Sequence, residues 1–96
     1  MRIDYAPRFL KDVKRLTKKN YPIDKLRSVI ELINKNDSES NRILVQHDKL
    51  HALKGDWSGY LECHVENSGD WILVYKIEGD ILVLTRTGKH DDVFRS

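Results

Sequence analysis

Residues 60–87 constrain the fold more than any other stretch. They hold three strand-like runs, YLECHV (60–65), WILVYKI (71–77) and ILVLTRT (81–87), joined by ENSGD and EGD. Connections this short cannot contain a crossover helix, so the runs must form an antiparallel meander. In the first run, Leu61, Cys63 and Val65 alternate with Tyr60, Glu62 and His64. Period two places the apolar set on one face and His64 on the other. The second run is almost wholly apolar and reads as a central strand, and the third is rich in β-branched residues. Asn67-Ser68-Gly69 is expected to turn, with Gly69 free to take a positive φ.

The upstream half supplies what covers the apolar face. Residues 1–5 are short and alternating and read as a first strand. Pro7 suits the first turn of a helix, where its missing N–H costs nothing. Phe9, Leu10, Val13 and Leu16 then recur at helical spacing, to an end near Asn20. Pro22 opens a second helix with an Ile23, Leu26, Val29, Ile30, Ile33 stripe. So few residues separate the two helices that an antiparallel hairpin is expected. NDSESN (36–41) reads as a polar turn or loop. Ile43-Leu44-Val45 reads as a short strand or docking turn. Residues 42–56 should be ordered against the sheet and carry part of any site, because long structureless connections are rare in compact domains. The predicted order is β-α-α-β-β-β. That is one α+β domain over residues 1–96, a four-stranded, mainly antiparallel sheet with the helical hairpin on one face.

Composition narrows the function classes. No apolar run approaches the roughly 20 residues of a membrane span, and no N-terminal stretch reads as a secretory signal. Cys63 is the one cysteine, so no internal disulfide can form, and a reducing cytoplasm is the expected setting. Residues 1–35 carry ten Lys/Arg against four Asp/Glu, and residues 36–96 carry seven against eleven. A basic half facing an acidic one suggests an acidic partner such as RNA or an acidic protein, although basic side chains also simply solvate helices.

Of the four histidines, His51, His64 and His90 fall at strand ends or on the face predicted to lack helices. Histidine exchanges protons near neutral pH, and with a carboxylate such as Asp70 the set suits general acid–base chemistry. It would equally suit a metal ion. His47 and His51 have ligand spacing only on a helix, and no His-Glu-x-x-His pattern is present, so no metal or other cofactor is expected.

The motifs of residues 51–94 resemble the YafQ branch of the RelE/ParE-type bacterial toxins. They are His51-Ala52-Leu53-Lys54-Gly55-Asp56-Trp57, Gly59-Tyr60, His64-Val65-Glu66, Asp70-Trp71-Ile72-Leu73-Val74-Tyr75-Lys76, Arg86-Thr87-Gly88-Lys89-His90 and Val93-Phe94. None is specific alone, but in this order they are, and the likeness extends over the helical hairpin. It implies a RelE-like fold and a ribosome-dependent mRNA endonuclease, or mRNA interferase, acting in the ribosomal A site among mRNA and rRNA. It also implies silencing by a cognate antitoxin, contact with promoter DNA only through the antitoxin complex, and no membrane association. Carried over by position, the catalytic set is His51, His64, Asp70 and His90, with Phe94 orienting or stacking on a base. Arg86, Lys54 and Lys89 are the candidate RNA-binding cations. Two departures stand out: Leu61 where the family often has Arg, and Asn67-Ser68-Gly69 where it has a single residue. The alternatives are a ParE-like toxin that binds gyrase without cutting, a metal-dependent hydrolase, and a plain interaction domain.

Overall fold

The fold is known from a computed structural model, which describes residues 1–66 and 69–95. Strand β1 (Arg2–Tyr5) leads through Ala6 into helix α1 (Pro7–Lys18), with proline in the first turn as expected. Arg15 and Lys18 sit in its last turn, where cations complement the helix dipole. Asn20 then takes φ 63°, the left-handed conformation asparagine tolerates. Helix α2 (Ile23–Lys35) buries Leu26, Val29 and Ile33 and ends on Asn36, also left-handed.

The next segment departs from expectation. Residues 36–45 are not a loop followed by a short strand, because Ser38–His47 form a third helix, α3. Asp37 caps it, its carboxylate accepting from Ser40 N at 2.7 Å. Leu44, 1% exposed, anchors the helix in the core while Val45 is left exposed. The chain continues through strand β2 (His51–Ala52), a 3-10 turn (Gly55–Trp57), and strands β3 (Leu61–His64), β4 (Ile72–Glu78) and β5 (Ile81–Gly88). It closes with a short helix, α4 (His90–Phe94).

The sheet has five strands in the order β1-β5-β4-β3-β2, one more than expected. β1 runs parallel to β5, and the other pairs are antiparallel. The α+β class, the hairpin and the meander stand as predicted, with β2, α3 and α4 added. Cys63, Leu73, Tyr75, Leu82 and Leu84 form the covered face, packed with Phe9, Leu16, Leu26, Val29, Ile33 and Leu44. The opposite face is not bare. Ile72, Val74 and Val93 form a second small core there, flanked by Leu53, Trp57, Tyr60 and Phe94. The expected turn at Asn67-Ser68 lies outside the described residues, and Gly69 has φ 98°.

Register is what gathers the site. His51 pairs with Glu62 across β2 and β3, His64 pairs with Ile72, and Ile72 pairs with Gly88. His64 therefore stands in one row with the end of β5, two residues before His90. No helix among the described residues is long and apolar enough to cross a membrane.

Candidate active site

Glu62 is the centre of the cluster. It shares the second sheet face with His64 through period two, and it is only 2% exposed. Burying a carboxylate is costly unless it is paired, and three imidazoles surround this one. His90 Nε2 lies 2.9 Å from Glu62 Oε1, and His51 Nε2 and His64 Nε2 lie each at 3.8 Å. Sequence reading passed over Glu62. The available signal was its place two residues before a site histidine on the same strand face.

His90 is held on both ring nitrogens. Its Nδ1 contacts Asp70 Oδ1 while Nε2 faces Glu62. Its backbone N donates to Asp70 Oδ2 at 3.2 Å. With a carboxylate oxygen on each side, both ring nitrogens can donate at once only in the imidazolium, the form this pair of carboxylates favours. Burial alone would lower its pKa, but the hydrogen bonds to Asp70 and Glu62 outweigh that and raise it. The hydrogen bond from His90 in turn holds Asp70 below the usual carboxylate range. Asp70 thus lies against His90 within the cluster, with hydrogen bonds to both its ring and its backbone.

His64 has the opposite electrostatics. Partial burial lowers its pKa against the pull of Glu62, so it is more ready to be neutral than His90. Its Nδ1 is buried without a hydrogen-bond partner among the described residues. The His64 and His90 rings stand 5.8 Å apart, centre to centre. His51 is exposed, and its Nδ1 meets the Lys49 carbonyl at 2.9 Å. That contact makes Nδ1 the donor and leaves Nε2 turned toward the cluster.

Phe94 lies one helical turn after His90, its ring 6.0 Å from the imidazole and 5.3 Å from Trp57. His90, Asp91, Phe94 and Arg95 line an open cleft of about 430 Å³. Lys54 and Lys89 are exposed, and Lys89 borders a second groove beside Asp70. His47 is exposed at the end of α3, and His51 lies on a strand, so they do not form a helical ligand pair. Arg86 corrects the sequence reading. It is 7% exposed, and its guanidinium points inward to Asp12 and the end of α4 rather than toward a phosphate.

Glu62, His64 and His90 each offer one ligand atom, all within 4.8 Å of one another. One carboxylate and two imidazoles are a donor set that zinc or copper accepts. The same atoms can therefore hold a proton or a cation.

Comparison with known proteins gives this constellation a family. Residues 1–95 match the sequence profile of the bacterial toxin of type II toxin–antitoxin systems, YafQ. The chain is 36% identical over 92 residues to the mRNA interferase toxin YafQ of Escherichia coli K12, covering 96% of this chain and 94% of the relative. YafQ in the crystal structure of the E. coli DinJ–YafQ complex superposes with a TM-score of 0.81 at 36% identity, over 98% of this chain and 99% of that one. A metal-bound toxin from Helicobacter pylori superposes with a TM-score of 0.83 at 30% identity, again over 98% and 99%. The chain belongs to the YafQ family of type II toxins.

Proposed function

We propose that this toxin is an endoribonuclease that cuts mRNA in the ribosomal A site by histidine acid–base chemistry. The observation that carries this is the pairing of a carboxylate-bound imidazolium, His90, with a neutral-leaning imidazole, His64, around buried Glu62. Cutting RNA through its own 2′-hydroxyl needs a base for that proton, an acid for the departing 5′-oxygen, and positive charge at the phosphate. In this scheme His64 or His51 takes the 2′ proton as the oxygen attacks phosphorus. The bond to the 5′-oxygen breaks, and His90 delivers its Nε2 proton to it. The products are a 2′,3′-cyclic phosphate and a 5′-hydroxyl.

Asp70 keeps His90 aimed and charged, and Phe94 offers a ring for a base to stack on. Positive charge comes from His90 itself, from exposed Lys54 and Lys89, and from the ribosomal surroundings. A ribosomal setting accords with the open site and with α1, whose exposed Arg8, Lys11, Lys14 and Lys18, with Lys19 just beyond, suit an rRNA surface. A cognate antitoxin would silence the protein, as the DinJ–YafQ complex of the relative suggests, and a cytoplasmic setting follows from such targets.

Primer extension on mRNA from cells expressing the chain tests the proposal. Cuts inside translated codons, lost when translation initiation is blocked, are expected. Growth arrest with intact mRNA and inhibited gyrase would overturn it in favour of the non-cutting alternative.

A further inference from the structure

Asp12 has no evident reason to be where it is. It lies on the apolar side of α1, between Phe9 and Leu16, yet is only 2% exposed. All of its resolved partners are donors. Arg86 Nε and Nη2 reach its two oxygens at 2.7 and 3.2 Å, Thr87 N at 3.1 Å, and Arg15 Nη1 at 3.0 Å.

What Arg86 does with its remaining donors gives the arrangement a purpose. Nη1 donates to the Val93 carbonyl at 3.2 Å and Nη2 to the Asp92 carbonyl at 3.3 Å. These carbonyls belong to the last turn of α4, where the helix offers its carbonyls no N–H donors of its own, and a cation there complements the helix dipole. Five residues do not hold a helix unaided, and α4 carries both His90 and Phe94. The other end of α4 is tied through the His90 backbone to Asp70. The same network reaches that end as well. Thr87, whose N–H Asp12 accepts, receives the Trp71 indole N–H on its hydroxyl at 2.9 Å and donates that hydroxyl to the Ile72 carbonyl at 2.8 Å. Trp71 directly follows Asp70.

We propose that Asp12 is a positioning residue for the active site: by fixing Arg86 it clamps α4, and so sets His90 and Phe94 against Glu62 and Asp70. The carboxylate selects one orientation of the guanidinium fork, and the fork then fixes the helix end. Without Asp12, Arg86 keeps a buried charge beside Arg15 with no carboxylate between them, and it must turn away from α4 or draw in water. As far as catalysis is concerned, this role rests on the nuclease reading given above.

The test compares the wild type with Asp12→Asn and with the paired apolar variant Asp12→Leu/Arg86→Met. Replacing both members of a buried ion pair by apolar groups often preserves stability, so the pair variant remains informative where Asp12→Asn does not fold. Amide exchange at Val93 and Arg95, whose N–H groups close α4, should accelerate at least about tenfold while β4 amides stay protected. Single-turnover cleavage of mRNA on programmed ribosomes should fall about 10²-fold at saturating toxin, the scale of a misplaced catalytic group, with half-saturation unchanged. Exchange that rises in parallel at α4 and β4 would mean a general stability role and overturns the proposal. So would wild-type cleavage and exchange in the pair variant. If the wild type itself cuts nothing, the nuclease reading fails, while exchange at Val93 and Arg95 still decides whether Asp12 holds the helix.

Discussion

Nε2 of His90 lies 2.9 Å from Oε1 of Glu62, a carboxylate only 2% exposed on the adjacent face of β3. Glu62 therefore does more than neutralise charge, because it helps set how tightly His90 keeps the proton it would give away. Replacing it by glutamine keeps the shape and removes the charge. In Glu62→Gln the His90 pKa should fall toward its ordinary value, and the basic limb of the cleavage–pH profile should move to lower pH. Above that limb the rate should drop roughly tenfold for each pKa unit lost. NMR titration of His90 beside the rate profile checks this. An unmoved His90 resonance would exclude Glu62 as a tuning group.

Stability should respond to pH in two opposed ways. The folded pKa of His90 is raised, so its contribution is complete below the unfolded value of about 6.5 and is lost as pH rises through the folded pKa. The folded pKa of His64 is lowered, so its contribution is complete above that unfolded value and is lost as pH falls through the folded pKa. The wild type should show a stability maximum near that unfolded value, because His64 gives a rising slope below it and His90 a falling slope above it. In His90→Gln, stability should rise with pH on the acid side of neutrality. In His64→Gln, it should fall as pH rises just above the ordinary histidine value. Urea midpoints measured across this range decide it, and slopes of the same sign in the two variants would contradict it.

The frame of the molecule was legible because it is written in short-range periods. Alternation placed Cys63 and His64 on opposite faces, and Pro7 and Pro22 marked the helix starts. Helix α3 was not legible. Three contiguous apolar residues, Ile43-Leu44-Val45, look like a strand, and the Asp37 cap is hidden in a run that also suits a turn. Period two placed His64, the predicted strand ends brought in His51 and His90, and motif resemblance then grouped them with Asp70 as one set. Arg86 was misplaced because its orientation depends on Asp12, 74 residues away. The one local sign was a carboxylate on the apolar stripe between Phe9 and Leu16, which called for a buried cation to meet it.

Metal and proton compete for the same atoms at Glu62, His64 and His90. Cleavage that uses the His90 Nε2 proton cannot proceed while that nitrogen ligates an ion. Added zinc or copper should therefore inhibit. Chelation, with magnesium held at the level ribosomes need, should leave the rate unchanged. Metal titration during cleavage on programmed ribosomes tests both halves. Stoichiometric zinc in active protein, lost together with activity in His64→Ala, would reverse the expectation.

Gly88 is the joint between β5 and the segment bearing His90. Its φ is +147°, and a Cβ built there would lie 2.9 Å from Arg15 Nη2. Gly88→Ala should cost about 1–3 kcal/mol in backbone strain, and it should also push Arg15 against Asp12. Gly79→Ala meets open space at φ +59° and should cost only the left-handed penalty of about 1–2 kcal/mol. Urea unfolding gives the costs. The sharper difference should be in cleavage, retained in Gly79→Ala and impaired in folded Gly88→Ala.

The four histidines should separate cleanly by single substitution. His90→Ala removes the proposed acid and should lower cleavage by about 10²–10⁴-fold, with growth arrest lost and antitoxin binding kept. His64→Ala and His51→Ala each remove a candidate base. The residue that is the base should match His90→Ala in severity and also erase the acid limb of the pH profile. The other should lower the rate without reshaping the curve. His64 is the expected base, because its lowered pKa keeps it neutral where His90 is charged. His47→Ala should leave cleavage intact, since that side chain is exposed on α3. Rates on programmed ribosomes across pH, with circular dichroism as the folding control, separate these roles. An inactive His47→Ala beside a normally cutting His90→Ala would move the site away from Glu62 altogether.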